Sequence, residues 1–112
     1  MSGWHPALPV ARVRWARPTD RLAECVAFYR DALGLEDLGG FADHDGYSGV
    51  FLGLPDESVH LELTTHVDGS QCPAPTLDNL LVLYLPDRAA VDAVAARLAA
   101  AGHPAVEPEN PY

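Results

Sequence analysis

An α+β fold is predicted for this 112-residue chain, built on a strand–helix–strand unit that occurs twice, the second time incompletely. Three observations predict it. Several short segments alternate apolar and polar residues with a period of two, as half-buried strands do. Two longer segments place apolar residues at spacings of three and four, the period of a helix packed on one side. Each of these begins at an aspartate and stops at a glycine, Asp20 to Gly34 and Asp87 to Gly102, and their near-equal lengths mark an internal repeat.

The first element is a strand over residues 10–15, where Val13 and Trp15 alternate with Arg12 and Arg14. Pro18 then punctuates, and Thr19 or Asp20 caps a helix that carries Leu22, Cys25, Val26, Tyr29 and Leu33 on one stripe and ends at Gly34. Three strands are expected next, over residues 35–41, 47–54 and 58–65, separated by His44-Asp45-Gly46 and Pro55-Asp56-Glu57. Both separators are good turn formers, so the three run as an antiparallel meander. Within the third, Val59, Leu61 and Leu63 point one way and His60, Glu62 and Thr64 the other.

Residues 66–77 contain Asp68-Gly69 and Cys72-Pro73-Ala74-Pro75 without periodicity and read as a connecting loop. The almost wholly apolar run over 77–85 has the length of a strand buried on both faces. Asp87 caps a second helix with a stripe of Val91, Val94, Ala95 and Leu98, closed by Gly102 and Pro104. Residues 105–112 supply one short strand at most. Compared with the first copy, two strands, roughly 20 residues, are expected to be missing from the second.

Composition narrows the function. Apolar residues make up 48% and charged residues 21%, the balance of a folded globular protein, and this length accommodates one domain. Sixteen acidic residues against seven basic ones give a net charge of −9, with no basic stripe to neutralise phosphates, so a nucleic-acid partner is excluded. No run approaches the about 18 apolar residues of a membrane span, and no signal-peptide pattern opens the chain. A cytoplasmic location is therefore expected, with no membrane partner. The two cysteines, Cys25 and Cys72, do not make a disulfide framework; Cys25 lies on an apolar stripe and is read as a small buried hydrophobe. No serine has a nucleophile-elbow setting and no glycine cluster precedes a helix as a phosphate loop does.

Phe28-Tyr29-Arg30-Asp31-Ala32-Leu33-Gly34-Leu35 resembles the FYxxxLGL motif that ends the first helix in the vicinal oxygen chelate superfamily, the glyoxalase and bleomycin-resistance proteins. His60-Leu61-Glu62-Leu63 resembles its fourth strand. The segments Ala16-Arg17-Pro18-Thr19-Asp20, His44-Asp45-Gly46-Tyr47, Asp78-Asn79-Leu80-Leu81 and Glu109-Asn110-Pro111-Tyr112 resemble a little-characterised bacterial branch of it. The resemblance implies one domain over 1–112: a first βαβββ module over 1–66, a linker over 67–77 and a shortened second module over 78–112. Paired modules of this kind form a curved mixed sheet around a cavity, with the helices outside.

In the metal-dependent enzymes of the superfamily, a divalent ion is held by one residue from each of the first, fourth, fifth and eighth strands and polarises two neighbouring substrate oxygens. Carried over by position, Glu62 matches the fourth-strand ligand. The first-strand place falls at or near Arg14, which cannot shed its proton to bind a metal. The fifth-strand place falls at Asp78 or Asn79, and the eighth lies beyond Tyr112. Zinc, nickel, iron or manganese at Glu62 is thus allowed, but no complete metal site and no resident cofactor are expected. An Arg12 or Arg14 guanidinium instead pairs with Glu62, satisfying a carboxylate that burial penalises.

Without the resemblance, His60-x-Glu62 joined by His44 or His66 is a candidate ligand set, against the commoner reading of a polar strand face. Three functions are carried forward. The first is a small-molecule binding protein whose cavity is lined by Arg14, Tyr47, Phe51, His60, Glu62 and Tyr84. The second is a metal-dependent lyase, isomerase or dioxygenase in which Glu62 is catalytic. The third is a shortened chain that acts only within an oligomer. The resemblance implies a homodimer in each, because cavities in the superfamily are often completed across a two-fold axis, and the shortened form strengthens the expectation, since unpaired sheet edges favour association.

Overall fold

The computed structural model describes residues 7–54, 58–69, 77 and 79–108. It holds a four-stranded mixed sheet in the order β1-β4-β3-β2, formed by β1 (Val13–Pro18), β2 (Glu36–His44), β3 (Tyr47–Gly53) and β4 (Val59–His66). The helix α1 (Leu22–Val26) continues as a π-helical segment, Ala27–Leu33, and α2 is Arg88–Ala100. This is the α+β class expected from the alternating and helical periods, and the sheet is not closed. The Pro55-Asp56-Glu57 turn, Cys72 with its proline-rich loop, Asp78 and the last four residues of the expected strand over 105–112 lie outside the described residues.

The meander is present as expected: β2 pairs antiparallel with β3, and β3 with β4. Its first turn is a two-residue link between His44 and Tyr47, with Asp45 and Gly46 both at positive φ (51° and 85°). That geometry matches the twist of the flanking strands, and Asp-Gly is among the residue pairs that adopt it most readily. β1 returns beside β4 in parallel, with Arg14 opposite His60 and Ala16 opposite Glu62; a parallel neighbour requires a crossover, here α1.

The core forms where strand alternation meets the helix stripe. Leu61 and Leu63 from β4 and Leu52 from β3 are almost wholly buried, together with Val26 and Leu35. Leu22, Cys25, Tyr29 and Leu33 pack around them. Cys25 thus has the packing role expected of it, its Sγ 3.5 Å from Thr19 Oγ1. The cap differs from expectation. Arg21, not Thr19 or Asp20, occupies the N-cap position, and Thr19 Oγ1 accepts the Arg21 backbone N–H at 2.9 Å, forming a local turn that precedes the helix.

The π-helical stretch was not legible in the apolar spacing. There Gly34 N–H donates to Tyr29 O, five residues back, at 3.1 Å, and Gly34 adopts a φ of 101°, open to glycine without strain. The last carbonyls of any helix lack intrahelical donors. Those of Ala32 and Leu33 are taken by Arg97 of α2, whose Nε and Nη2 donate at 3.0 and 2.6 Å. Nearby, Arg30 bridges Asp31 and Asp37; its hydrogen bond holds the exposed Asp31 carboxyl below the usual range.

The second half departs furthest from expectation. The apolar run over 80–85 forms no strand among the described residues, and its side chains are exposed rather than buried on both faces: Val82 by 58%, Tyr84 by 93%. Strand composition produces a strand only beside a partner that accepts its backbone hydrogen bonds, and none of the described strands pairs with this segment. Residues 105–108 likewise form no strand. Helix α2 does form, because Asp87 Oδ1 accepts the Ala90 N–H at 2.8 Å and its alanines favour helix. Its expected apolar stripe is not buried at any described position. The C-terminal turn closes at Gly102, with His103 N–H donating to Leu98 O at 2.8 Å and the His103 ring edge-on to Phe28 at 4.8 Å.

Two outcomes follow from this packing. Leu63→Ala, at a position with no exposed surface, should lower unfolding free energy by about 2–5 kcal/mol with an unchanged m-value in urea. Arg97→Met should leave sheet amides protected while α2 amides exchange roughly tenfold faster, equivalent to ~1.4 kcal/mol.

Candidate functional site on the helix-free face

The alternation that sends Leu61 and Leu63 under the helix sends His60, Glu62, Thr64 and His66 to the opposite face of β4. The pairing then decides what joins them. Glu62 is flanked by Phe51 on β3 and Ala16 on β1, while Tyr47 lies opposite His66 and Arg14 opposite His60. Phe41 of β2 lies opposite Gly49 of β3. This face therefore gathers residues from all four strands.

At its centre the Arg14 guanidinium stands over the Phe51 ring, 4.9 Å from the centroid, a distance at which the ring's negative face attracts a cation. Arg14 Nη1 is 3.9 Å from Glu62 Oε1, with half of the Arg14 side chain exposed and 14% of that of Glu62. The pair is close enough for charge compensation but longer than a hydrogen bond. Phe41 continues the aromatic surface, 5.8 Å from Phe51 and tilted 40° to it. Gly49 makes this arrangement possible: a Cβ there would lie 2.7 Å from Phe41 Cε1.

Of the expected lining residues, Arg14, Phe51 and Glu62 meet directly, and His60 is the cross-strand neighbour of Arg14. Tyr47 shares the face farther along β3, where its ring packs against His66 at 4.5 Å. His66 Nδ1 accepts the Asp68 N–H at 3.1 Å, so that nitrogen is engaged locally. Tyr84 does not join them. It lines a separate crevice of about 640 Å³ with Leu33, Leu35, Leu54, Leu85 and Arg97, because the segment that carries it is not paired into the sheet.

Around Glu62 the described donors do not converge on one point. Among the described residues no three His, Cys, Asp or Glu side chains come together as a metal-binding group, and the nearest partner of Glu62 is a guanidinium, which repels a dication. Asp78, a fifth-strand candidate, lies outside the described residues; Asn79 lines a smaller pocket with Trp15, Arg17 and Tyr29, whose β1 members belong to the other face of the sheet. Phe41 is the member that sequence reading missed, whereas Gly49 reads from the sequence as a bulge or a site of close strand packing. The signal was present in Gly49, a glycine in the middle of a strand, which marks close approach by a neighbour; which neighbour depended on the pairing.

Comparisons with known proteins bear on the family and the fold. Residues 13–64 match the YycE-like N-terminal domain and residues 78–112 the YycE-like C-terminal domain. The uncharacterized protein YycE of Bacillus subtilis (strain 168) is 44% identical over 102 residues, covering 91% of this chain and 73% of that protein. A crystal structure of a YycE protein of unknown function from Bacillus subtilis, described as a candidate glyoxalase/fosfomycin resistance protein, superposes with a TM-score of 0.88 at 42% identity. It covers 96% of this chain, which corresponds to 79% of the crystallised one.

Gly49→Ala tests the site's construction. The added methyl should push the Phe41 ring off β3, destabilise the fold by about 1–3 kcal/mol and change the near-ultraviolet circular dichroism of the Phe41–Phe51 pair.

Proposed function

Because this chain belongs to the YycE-like family, within the vicinal oxygen chelate superfamily, we propose that it binds a small organic molecule on the helix-free face of its sheet, without a complete metal site. The supporting observation is the guanidinium of Arg14 beside Glu62. In the metal-dependent relatives, an ion between the first and fourth strands supplies the positive charge that orients substrate oxygens. Here a fixed side-chain cation stands at the first-strand place and offers N–H donors to the same kind of oxygen. Phe51 and Phe41 supply the apolar surface on which a ligand ring or chain rests. His60 and Tyr47 border it.

Residues 1–112 act in this reading as one domain of two modules joined by residues 67–77. The family boundaries at 64 and 78 support that division. The protein works in the cytoplasm as a homodimer. No helix among the described residues is long and apolar enough to cross a membrane, and the exposed apolar side chains over 80–85 offer a surface for a second copy.

The test combines metal analysis with ligand screening. Purified protein should hold far less than one zinc, nickel, iron or manganese ion per chain. Aromatic and dicarbonyl compounds should include ligands that stabilise the wild type by about 2.7 kcal/mol at one hundred times Kd, with the shift lost in Phe51→Ala. One tightly held ion per chain, released by Glu62→Ala, would transfer the assignment to a metal-dependent lyase, isomerase or dioxygenase. Ligands that stabilise Phe51→Ala as well as wild type would place binding elsewhere.

A further inference from the structure

Resting on that reading, we infer that the ligand of the helix-free face is an amphoteric aromatic: a flat ring carrying an anionic and a cationic group within a few bonds of each other. The electrostatics of the site select for it. Among the described residues, the contacts of Arg14 are the Phe51 ring and the 3.9 Å ion pair with Glu62. At that separation the two groups compensate each other's charge without a direct hydrogen bond, so the guanidinium N–H groups and the carboxylate oxygens are available to a third molecule.

A ligand with a lone carboxylate is drawn to Arg14 and repelled by Glu62 at nearly the same range, in a chain of net charge −9. A lone ammonium meets the opposite balance at Arg14. Attraction and repulsion then offset each other, because Coulomb interactions fall off only as the inverse of distance. A ligand bearing both charges lies antiparallel to the Arg14–Glu62 dipole and gains from each. The aromatic requirement comes from the floor. Phe41 and Phe51 pack against each other at 5.8 Å and 40°, and as half-buried rings they form an aromatic floor on which a ligand ring can lie offset or edge-on. The guanidinium over Phe51 holds the charged end of the ligand at the margin of that floor.

Four probes with one ring system separate charge from shape: L-tryptophan, indole-3-propionate, tryptamine and indole, each titrated into full-length protein at pH 7 and followed by amide chemical shifts. L-tryptophan should bind at least tenfold more tightly than each of the others. Arg14→Met should weaken L-tryptophan by about tenfold while strengthening tryptamine; Glu62→Gln should weaken L-tryptophan while strengthening indole-3-propionate. These opposite signs cannot arise from loosened packing, and unchanged shifts in the amides of the core residues Val26 and Leu35 verify that both variants are folded. Equal binding of all four probes at Phe51 would overturn the amphoteric assignment and leave the binding face standing. A singly charged probe that binds more tightly than L-tryptophan would do the same, and absence of binding by all four would reject the aromatic class, with the face itself judged by the Phe51→Ala screen.

Discussion

Everything that the helix-free face presents depends on the burial of Leu52, Leu61 and Leu63 against α1 and its π-helical extension. These three side chains lose nearly all of their exposed surface, and apolar burial of that extent is the main favourable contribution available to a small domain. Because strand side chains alternate, hiding Leu61 and Leu63 obliges Glu62 and His60 to face the other way. A slip of one residue would exchange the faces and expose two leucines. The register of β4 is therefore held by its apolar side, while the chemistry of the chain lies on its polar side.

The two halves of the chain are joined differently. No leucine layer spans them among the described residues; instead Arg97 donates to the Ala32 and Leu33 carbonyls, and His103 packs edge-on against Phe28. Polar attachment of this kind satisfies groups that the end of a helix leaves open, but contributes less than a shared core. The crevice of about 640 Å³ between the halves, with the exposed apolar residues along 82–85, is the structural consequence.

Arg14 stands beside Glu62 on this face, and a guanidinium differs from a metal ion in what it presents. A metal ion gathers several donors around a point and accepts oxygen ligands by coordination; a guanidinium presents directed N–H groups and needs a carboxylate or an aromatic face to hold its plane. Arg14 has both, Phe51 beneath it and Glu62 beside it. The arrangement is consistent with recognition by hydrogen bonding and stacking.

The residues alone determined the elements whose signals are local: the Asp-Gly turn between β2 and β3, the Asp87 cap, the glycine ends of both helical stretches, and the opposite faces of Leu61 and Glu62. Alternation put the arginines of β1 and Glu62 on polar faces, but it was the resemblance to the superfamily that implied their pairing, since the adjacency of β1 and β4 depends on strand order. Phe41 was not legible, since an irregular register between β2 and β3 decides that it lies over Gly49. Nor was the fate of Tyr84 and the run over 80–85, whose composition is that of a buried strand but whose backbone pairs with no described strand. Only the tertiary structure decides such cases, because burial and strand pairing are relations between segments distant in sequence, whereas caps, turns and alternation are properties of a few neighbouring residues.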